Sequence, residues 1–244
     1  MDLPPQVTRL ISAVLAVQPD AIIVTQSGTP FTMPWVSRAS TLLHSWFGGS
    51  EVGTAIASVI FGVANPSGKL PLTFPSRLED TPAYTCFGSD AGTVVYGEDI
   101  FVGYRWYEKR NMKVAFPFGH GLSYTAFTLR DLTVTDTAAT FTIRNVGKRS
   151  GAETVMLYIS RSSSSGLKIQ RPRRELKGFE KIYLEKGEGK QLQIPIDKYA
   201  TASWDRRSKS WVNEEGIWHV NLVAGAEQLS GQLVLARSAW WNGL

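Results

Sequence analysis

The chain has 244 residues and a mass of 26.9 kDa, with 43% hydrophobic and 19% charged residues, enough to bury a core and too apolar for a disordered tail. Its one cysteine, Cys86, excludes an internal disulfide framework and a zinc module, and no metal-ligand spacing joins His44, His120 and His219, so neither metal nor other cofactor is expected. The net charge of +5 is uneven, since residues 1–125 hold 8 Lys/Arg and 9 Asp/Glu (net −1) whereas residues 126–244 hold 18 and 12 (net +6).

In chain order, Pro4-Pro5 is followed by Val7, Leu10, Ile11, Val14 and Leu15 at helical spacing, which predicts an amphipathic helix ended by Pro19. The run Ala21-Ile22-Ile23-Val24, closed by Ser27-Gly28-Thr29-Pro30, suits a strand buried on both faces of a sheet. Leu42 to Phe47 reads as a second such strand. Gly48-Gly49 breaks it, Ser50 is placed to cap a helix, and Val52, Ala55, Ile56, Val59 and Ile60 form that helix's stripe. The turn Asn65-Pro66-Ser67-Gly68 then leads to a third strand near Leu70 to Phe74. This order fits one side of an open α/β sheet, but three strands fall short of the roughly five or six of a complete domain, so the beginning of the domain is expected to be missing.

The aromatic stretch 116–126, Phe116-Pro117-Phe118-Gly119-His120-Gly121-Leu122-Ser123-Tyr124-Thr125-Ala126, reads as a packed hinge. Beyond it the helical period disappears and period-two stretches follow at 127–134, 140–144, 154–160, 179–184, 191–196, 211–213, 218–223 and 229–235, which predicts a β-sandwich without an inter-sheet disulfide. The resulting division is a partial α/β domain over 1–115, the hinge 116–126, a sandwich over 127–237 and a tail over 238–244. Arg161, Lys168, Arg171, Arg173 and Arg174 fall in a Ser-, Gly- and Pro-containing stretch that reads as a solvated basic loop. Polyanion contact is the rival reading, but no nucleic-acid signature accompanies the charge and no nucleic-acid partner is expected. No apolar run approaches the roughly 18 residues of a membrane helix, residues 1–20 lack the pattern of a secretory signal, and no membrane partner or compartment is assigned.

Ligands of open α/β sheets sit beyond the carboxyl ends of the strands, here the loops Ser27-Gly28-Thr29 and Trp46-Phe47-Gly48-Gly49-Ser50-Glu51. Trp46 there can stack on a ring and Glu51 can bind hydroxyls. Equally, Trp46 can pack in the core and Glu51 can face its helix N-terminus, a contribution of about 0.3–1 kcal/mol. The glycines at 48, 49 and 53 miss a dinucleotide fingerprint, and there is no Gly-x-Ser-x-Gly elbow. Glycoside hydrolysis needs two carboxylates about 5–10 Å apart. Glu79 and Asp80 read as a solvated pair, whereas Glu98 and Asp99 lie beside Tyr96 and ahead of Phe101, Tyr104, Trp106 and Tyr107. Tyr96 and Glu98 join Trp46 and Glu51 as candidate pocket-edge residues, a structural role for Glu98 being the alternative.

With Gly119-His120-Gly121-Leu122-Ser123-Tyr124-Thr125 the sequence resembles the C-terminal half of glycoside hydrolase family 3 β-glucosidases. The resemblance extends through Met1-Asp2-Leu3-Pro4, Gln26-Ser27-Gly28-Thr29-Pro30, Gly48-Gly49-Ser50-Glu51-Val52-Gly53, Asn65-Pro66-Ser67-Gly68-Lys69-Leu70-Pro71 and Tyr96-Gly97-Glu98-Asp99-Ile100-Phe101-Val102-Gly103-Tyr104-Arg105. It continues in Asn145-Val146-Gly147, Gly151-Ala152-Glu153, Arg171-Pro172, Glu175-Leu176-Lys177-Gly178-Phe179 and Trp204-Asp205. It departs at Asp99, where the family usually has glycine, and at Ser50, where glutamine is common.

The resemblance implies an incomplete α/β sandwich sheet followed by a fibronectin type III-like sandwich. It implies a retaining exo-glycosidase acting on terminal non-reducing β-D-glucosyl residues of a β-glucoside or oligosaccharide. In that family a barrel Asp is the nucleophile and a Glu on a loop before the position of Met1 is the acid/base. Neither maps onto this chain, so no catalytic residue is assigned and the chain is expected to be inactive without the N-terminal barrel domain. Met1 reads as an internal methionine of a longer enzyme. The alternative is a stand-alone, non-catalytic sugar-binding or scaffold module.

Overall fold

The computed structural model describes residues 1–88, 91–161 and 170–243. They form two compact units, residues 1–64 with 69–120, and residues 65–68 with everything from Gly121 onward.

The first unit opens with α1 (Pro5–Val17), where a proline in the first turn costs nothing because that N–H has no helical partner. The Gln18 N–H donates to the Val14 carbonyl at 2.8 Å and Pro19 bars continuation. β1 (Ile22–Thr25) and β2 (Thr41–His44) pair in parallel, with Ile22 opposite Thr41 and Thr25 opposite His44. α2 (Val52–Ile60) follows, but Glu51 rather than Ser50 is its N-cap residue and no side chain caps it. The strand expected over 70–74 shrinks to β3 (Phe74–Pro75), antiparallel to β4 (Val114–Phe116), which follows α3 (Tyr104–Lys109). Leu70 instead exchanges backbone bonds with the hinge, donating to His120 and accepting from Gly119, both at 2.8 Å. The core of this unit is small, with Leu15, Ile23, Phe31, Met33, Trp35 and Phe74 buried.

The second unit holds β5 (Phe127–Val134), β6 (Ala138–Asn145), β7 (Gly151–Arg161), β8 (Glu175–Leu184), β9 (Gly189–Pro195), β10 (Ser203–Asp205), β11 (Ser210–Asn213), β12 (Gly216–Ala224), β13 (Glu227–Leu235) and β14 (Ala239–Trp241). They form a four-stranded sheet in the order β13-β12-β7-β8 and three-stranded sheets in the orders β5-β6-β9 and β10-β11-β14, all antiparallel. Alternate residues Val155, Leu157 and Ile159 of β7 and Trp218, Val220 and Leu222 of β12 share one buried cluster with Leu129, Phe141 and Ile143. At about 1.5–3 kcal/mol for each fully buried large apolar side chain, this cluster holds the sandwich without a disulfide. Residues 238–244, expected as a tail, contain β14, because Trp241 pairs with Trp211 across β11.

The turn Asn65–Gly68 belongs with the second unit although its sequence lies in the first. The Asn65 amide donates to the Ser150 carbonyl at 3.0 Å, and its oxygen accepts from Ser123 Oγ and the Tyr124 N–H at 3.0 and 2.8 Å. Asn145 is fully buried and fully used, donating to the Arg149 and Leu184 carbonyls and accepting from Thr125 Oγ1 and the Gly147 N–H.

Candidate functional site

Because β1 and β2 are parallel, their carboxyl ends lie side by side, and the loops 26–30 and 45–51 leave from the same end of the sheet. The strands are tied there by the side chains of Thr25 and His44, with Oγ1 and Nδ1 2.9 Å apart. The His44 ring lies among Trp46, Phe74 and Phe31, with ring centres 4.3, 5.3 and 5.9 Å away. Burial in that cage holds the imidazole below its ordinary range, and Nε2 is buried with no hydrogen-bond partner among the described residues. Trp46 also contacts Phe74, with ring centres 5.8 Å apart, so it packs against the core and is half-buried. Glu51 is exposed at the α2 terminus.

The next residue beyond Trp46 carries the exposure that Trp46 lacks. Phe47 is 86% exposed, and its ring edge lies so close to Gly28 that a Cβ there would meet Cζ at 2.3 Å. Gly28 therefore admits the ring by having no side chain. Sequence reasoning gave Phe47 no role, because an apolar residue at the end of an apolar run reads as core.

The second pair of candidates lies on the segment before α3. Tyr96 is 81% exposed, while Glu98 is half-buried and accepts from the Cys86 thiol at 3.8 Å. No hydrogen bond, ion pair or ring contact among the described residues joins Tyr96 or Glu98 to Trp46 or Glu51. Asp99 holds φ +53°, the left-handed conformation that suits a glycine, so the residue differs from the family pattern while the turn keeps a glycine-like backbone.

Two readings of charged residues change. Asp80 is buried and ion-paired with Arg77 Nε at 2.8 Å, while Glu79 alone is exposed. The Tyr107 phenol is pushed up to about 12, mainly by burial and further by Asp80. In the sandwich, Arg161 and Arg171 are not solvated. Both pair with Glu214, Arg171 at 3.5 Å, and their guanidinium groups lie 5.6 and 4.8 Å from the Trp218 ring centre. Arg174 lies over Tyr158 at 4.3 Å, Arg173 is exposed, and Lys168 falls outside the described residues. Burial lowers the Arg171 affinity for its proton while Glu214 and Glu175 oppose that shift. Most of the described basic stretch is thus engaged with its own fold. Among the described residues no group of three or more His, Cys, Asp or Glu could hold a metal, and no helix is long and apolar enough to cross a membrane.

Comparison with known proteins agrees with this architecture. The family model for the glycosyl hydrolase family 3 C-terminal domain matches residues 1–124, and that for a fibronectin type III-like domain matches residues 153–226. The chain is 51% identical over its whole length to probable beta-glucosidase K of Emericella nidulans and 47% identical to probable beta-glucosidase I of Aspergillus niger. It spans only 29% and 31% of those relatives. Among solved structures, beta-glucosidase from Kluyveromyces marxianus in complex with glucose superposes with a TM-score of 0.92 at 42% identity, covering all of this chain and 30% of that one. A beta-glucosidase from Streptomyces venezuelae, in complex with D-glucose, superposes with a TM-score of 0.88 at 32% identity over 95% of this chain. Two matched models in the expected order and whole-chain identity to such relatives carry one conclusion: the chain belongs to glycoside hydrolase family 3, as its C-terminal α/β domain followed by a fibronectin type III-like sandwich.

Proposed function

We propose that this chain is the C-terminal part of a retaining β-glucosidase-type exo-glycosidase that hydrolyses terminal non-reducing β-D-glucosyl residues, and that it shapes the active site without carrying the catalytic pair. The observation that supports this most is 51% identity across the entire chain to a relative named as a probable beta-glucosidase, of which the chain makes up 29%. The acids of the chain support it as well. Asp80 is tied to Arg77, Glu98 meets a thiol, Glu214 is shared by two arginines, and the exposed Glu51 stands at a helix end. Each of these described acids has a local role that needs no second carboxylate across a sugar-sized gap.

In this reading Trp46, Glu51, Tyr96 and Glu98 edge the pocket that the N-terminal barrel completes. Trp46 braces the loop from beneath, while the exposed Glu51 and Tyr96 face ligand. The test is an aryl β-glucoside assay of the purified 244-residue chain. No turnover above background is expected, and turnover that survives Glu51→Gln with Glu98→Gln overturns the reading. Calorimetry on the same sample separates the rival: a stand-alone sugar-binding module gives measurable glucoside binding by the chain alone, and the proposed reading gives none.

A further inference from the structure

Several large apolar side chains of the first unit face water, and one of them stands where a ligand arrives. In an open α/β sheet the ligand sits beyond the carboxyl ends of the parallel strands. The loops 26–30 and 45–51 leave β1 and β2 at that end, and Phe47, 86% exposed, lies on the second of them. Phe61 and Val63 are as exposed, but they follow the last turn of α2, one helix length or about 13 Å from that loop.

Phe47 is held from beneath. A Cβ on Gly28, in the loop after β1, would meet Phe47 Cζ at 2.3 Å and Cε2 at 2.8 Å, so one edge of the ring lies against the neighbouring loop's backbone. The loop that carries Gly28 is itself shaped by Ser27 Oγ, which donates to the Thr29 carbonyl at 2.7 Å. On either side of Phe47 the chain is packed. Trp46 contacts His44 and Phe74, and Gly48 approaches Val52, the first residue of α2, so closely that a Cβ would meet Cγ2 at 2.3 Å. A ring wedged in this way has given up part of its side-chain freedom before any ligand comes, which lowers the ordering cost of stacking.

The chemistry of the occupant follows from the ring. Phenylalanine offers a flat apolar face and no hydrogen-bonding group, so it selects another apolar or aromatic face rather than a set of hydroxyls. Glu51, exposed on the same loop, is the group there that accepts from hydroxyls. An exo-acting glycosidase takes the terminal glucosyl residue deepest and leaves the group attached to it at the mouth. A residue on the pocket edge therefore meets that departing group.

We propose that Phe47 is a specificity residue on the leaving-group side of the pocket, a platform on which a planar apolar aglycone of a β-glucoside stacks. The inference rests on the proposed function, that this chain edges the pocket of a β-glucosidase-type enzyme, and adds which part of the substrate the loop reads.

The test puts the 244-residue chain in place of the matched region of Emericella nidulans beta-glucosidase K and measures kcat/KM on phenyl and methyl β-glucosides. Phe47→Ala is expected to lower the phenyl-to-methyl ratio of kcat/KM about fivefold, and Phe47→Trp to keep it. A side chain that only packs against the rest of the enzyme changes both glucosides alike and leaves the ratio where it was. An active chimera whose ratio ignores Phe47→Ala overturns this inference alone. A folded chimera, by circular dichroism, that turns over neither glucoside sinks the functional reading and this inference with it. Where the chimera fails to fold, Phe and Ala placed in turn at the matched position of the intact relative read the same ratio: a fivefold fall from Phe to Ala supports the platform, and an equal ratio overturns it.

Discussion

The two units answer the same physical demand differently. The sandwich buries seventeen residues in one cluster, and its β7 runs eleven residues with β12 on one side and β8 on the other. The α/β unit buries six in its cluster, and its parallel sheet has two strands of four residues. A two-stranded sheet is marginal by itself, and the apolar residues that the first unit exposes, Phe47, Phe61, Val63 and Phe87 at 82–89%, have no core to enter. The difference shows that antiparallel pairing can close a domain with residues that are near in sequence. A parallel sheet depends on strands delivered by crossovers, and one that lacks them keeps its pattern but not its burial.

The sharpest way to break this comparison is to damage each core in turn. Phe141→Ala empties a fully buried site in the sandwich and is expected to cost about 4 kcal/mol, whereas Leu15→Ala in the first unit costs about 2, because it removes a smaller side chain from a smaller cluster. Urea titration with fluorescence and circular dichroism reads both as shifts of two separate transitions, the first unit unfolding at lower urea. A single shared transition moved equally by both variants would break the comparison.

Next in size is Asn145→Ala. It strips donors from the Arg149 and Leu184 carbonyls and an acceptor from Thr125, and is expected to cost the sandwich about 3 kcal/mol with no effect on the first transition. Acidity sharpens the contrast in the other direction. Burial lowers His44, and burial with Lys69 lowers His120; both lie in the first unit. Below the unfolded value of 6.5 the unfolded state takes up protons that the folded state resists, so stability from these groups is full above that pH and lost as pH falls beneath it. The first transition is expected to move to lower urea on acidification, and His44→Phe to reduce that movement. The smallest effect is at Asp99, where Asp99→Gly relieves a left-handed backbone and stabilises the first unit by about 1 kcal/mol or less, read as a raised first midpoint.

Much of this contrast was visible in the residues. The apolar stripe from Val7 to Leu15 announces α1, and alternation from Phe127 to Leu235 announces each long sandwich strand, because local period follows directly from which face is buried. Strands of three residues carry no such period. β10 and β14 exist because Trp204, Trp211 and Trp241 meet across one row, and for β14 the partner strand lies far back in the chain. The shortening of the strand near Leu70 has the same origin, since its backbone bonds go to Gly119 and His120. At the candidate site, the loops at the strand ends were legible because a parallel sheet places them there. The His44–Thr25 bond, the exposure of Phe47 over Gly28 and the pairing of Arg161 and Arg171 with Glu214 were not, as each depends on a partner that no local pattern names.

The sandwich is held by one large buried cluster, whereas the α/β unit leaves apolar residues of its parallel strand β1 half exposed. Residue-resolved amide exchange on the chain alone tests this claim most directly. Protection at Val155, Leu157, Val220 and Leu222 is expected to report global unfolding of the sandwich, and exchange at Ile22 and Val24 to proceed through far smaller openings. Equal, full protection of β1 and β7 would contradict the claim.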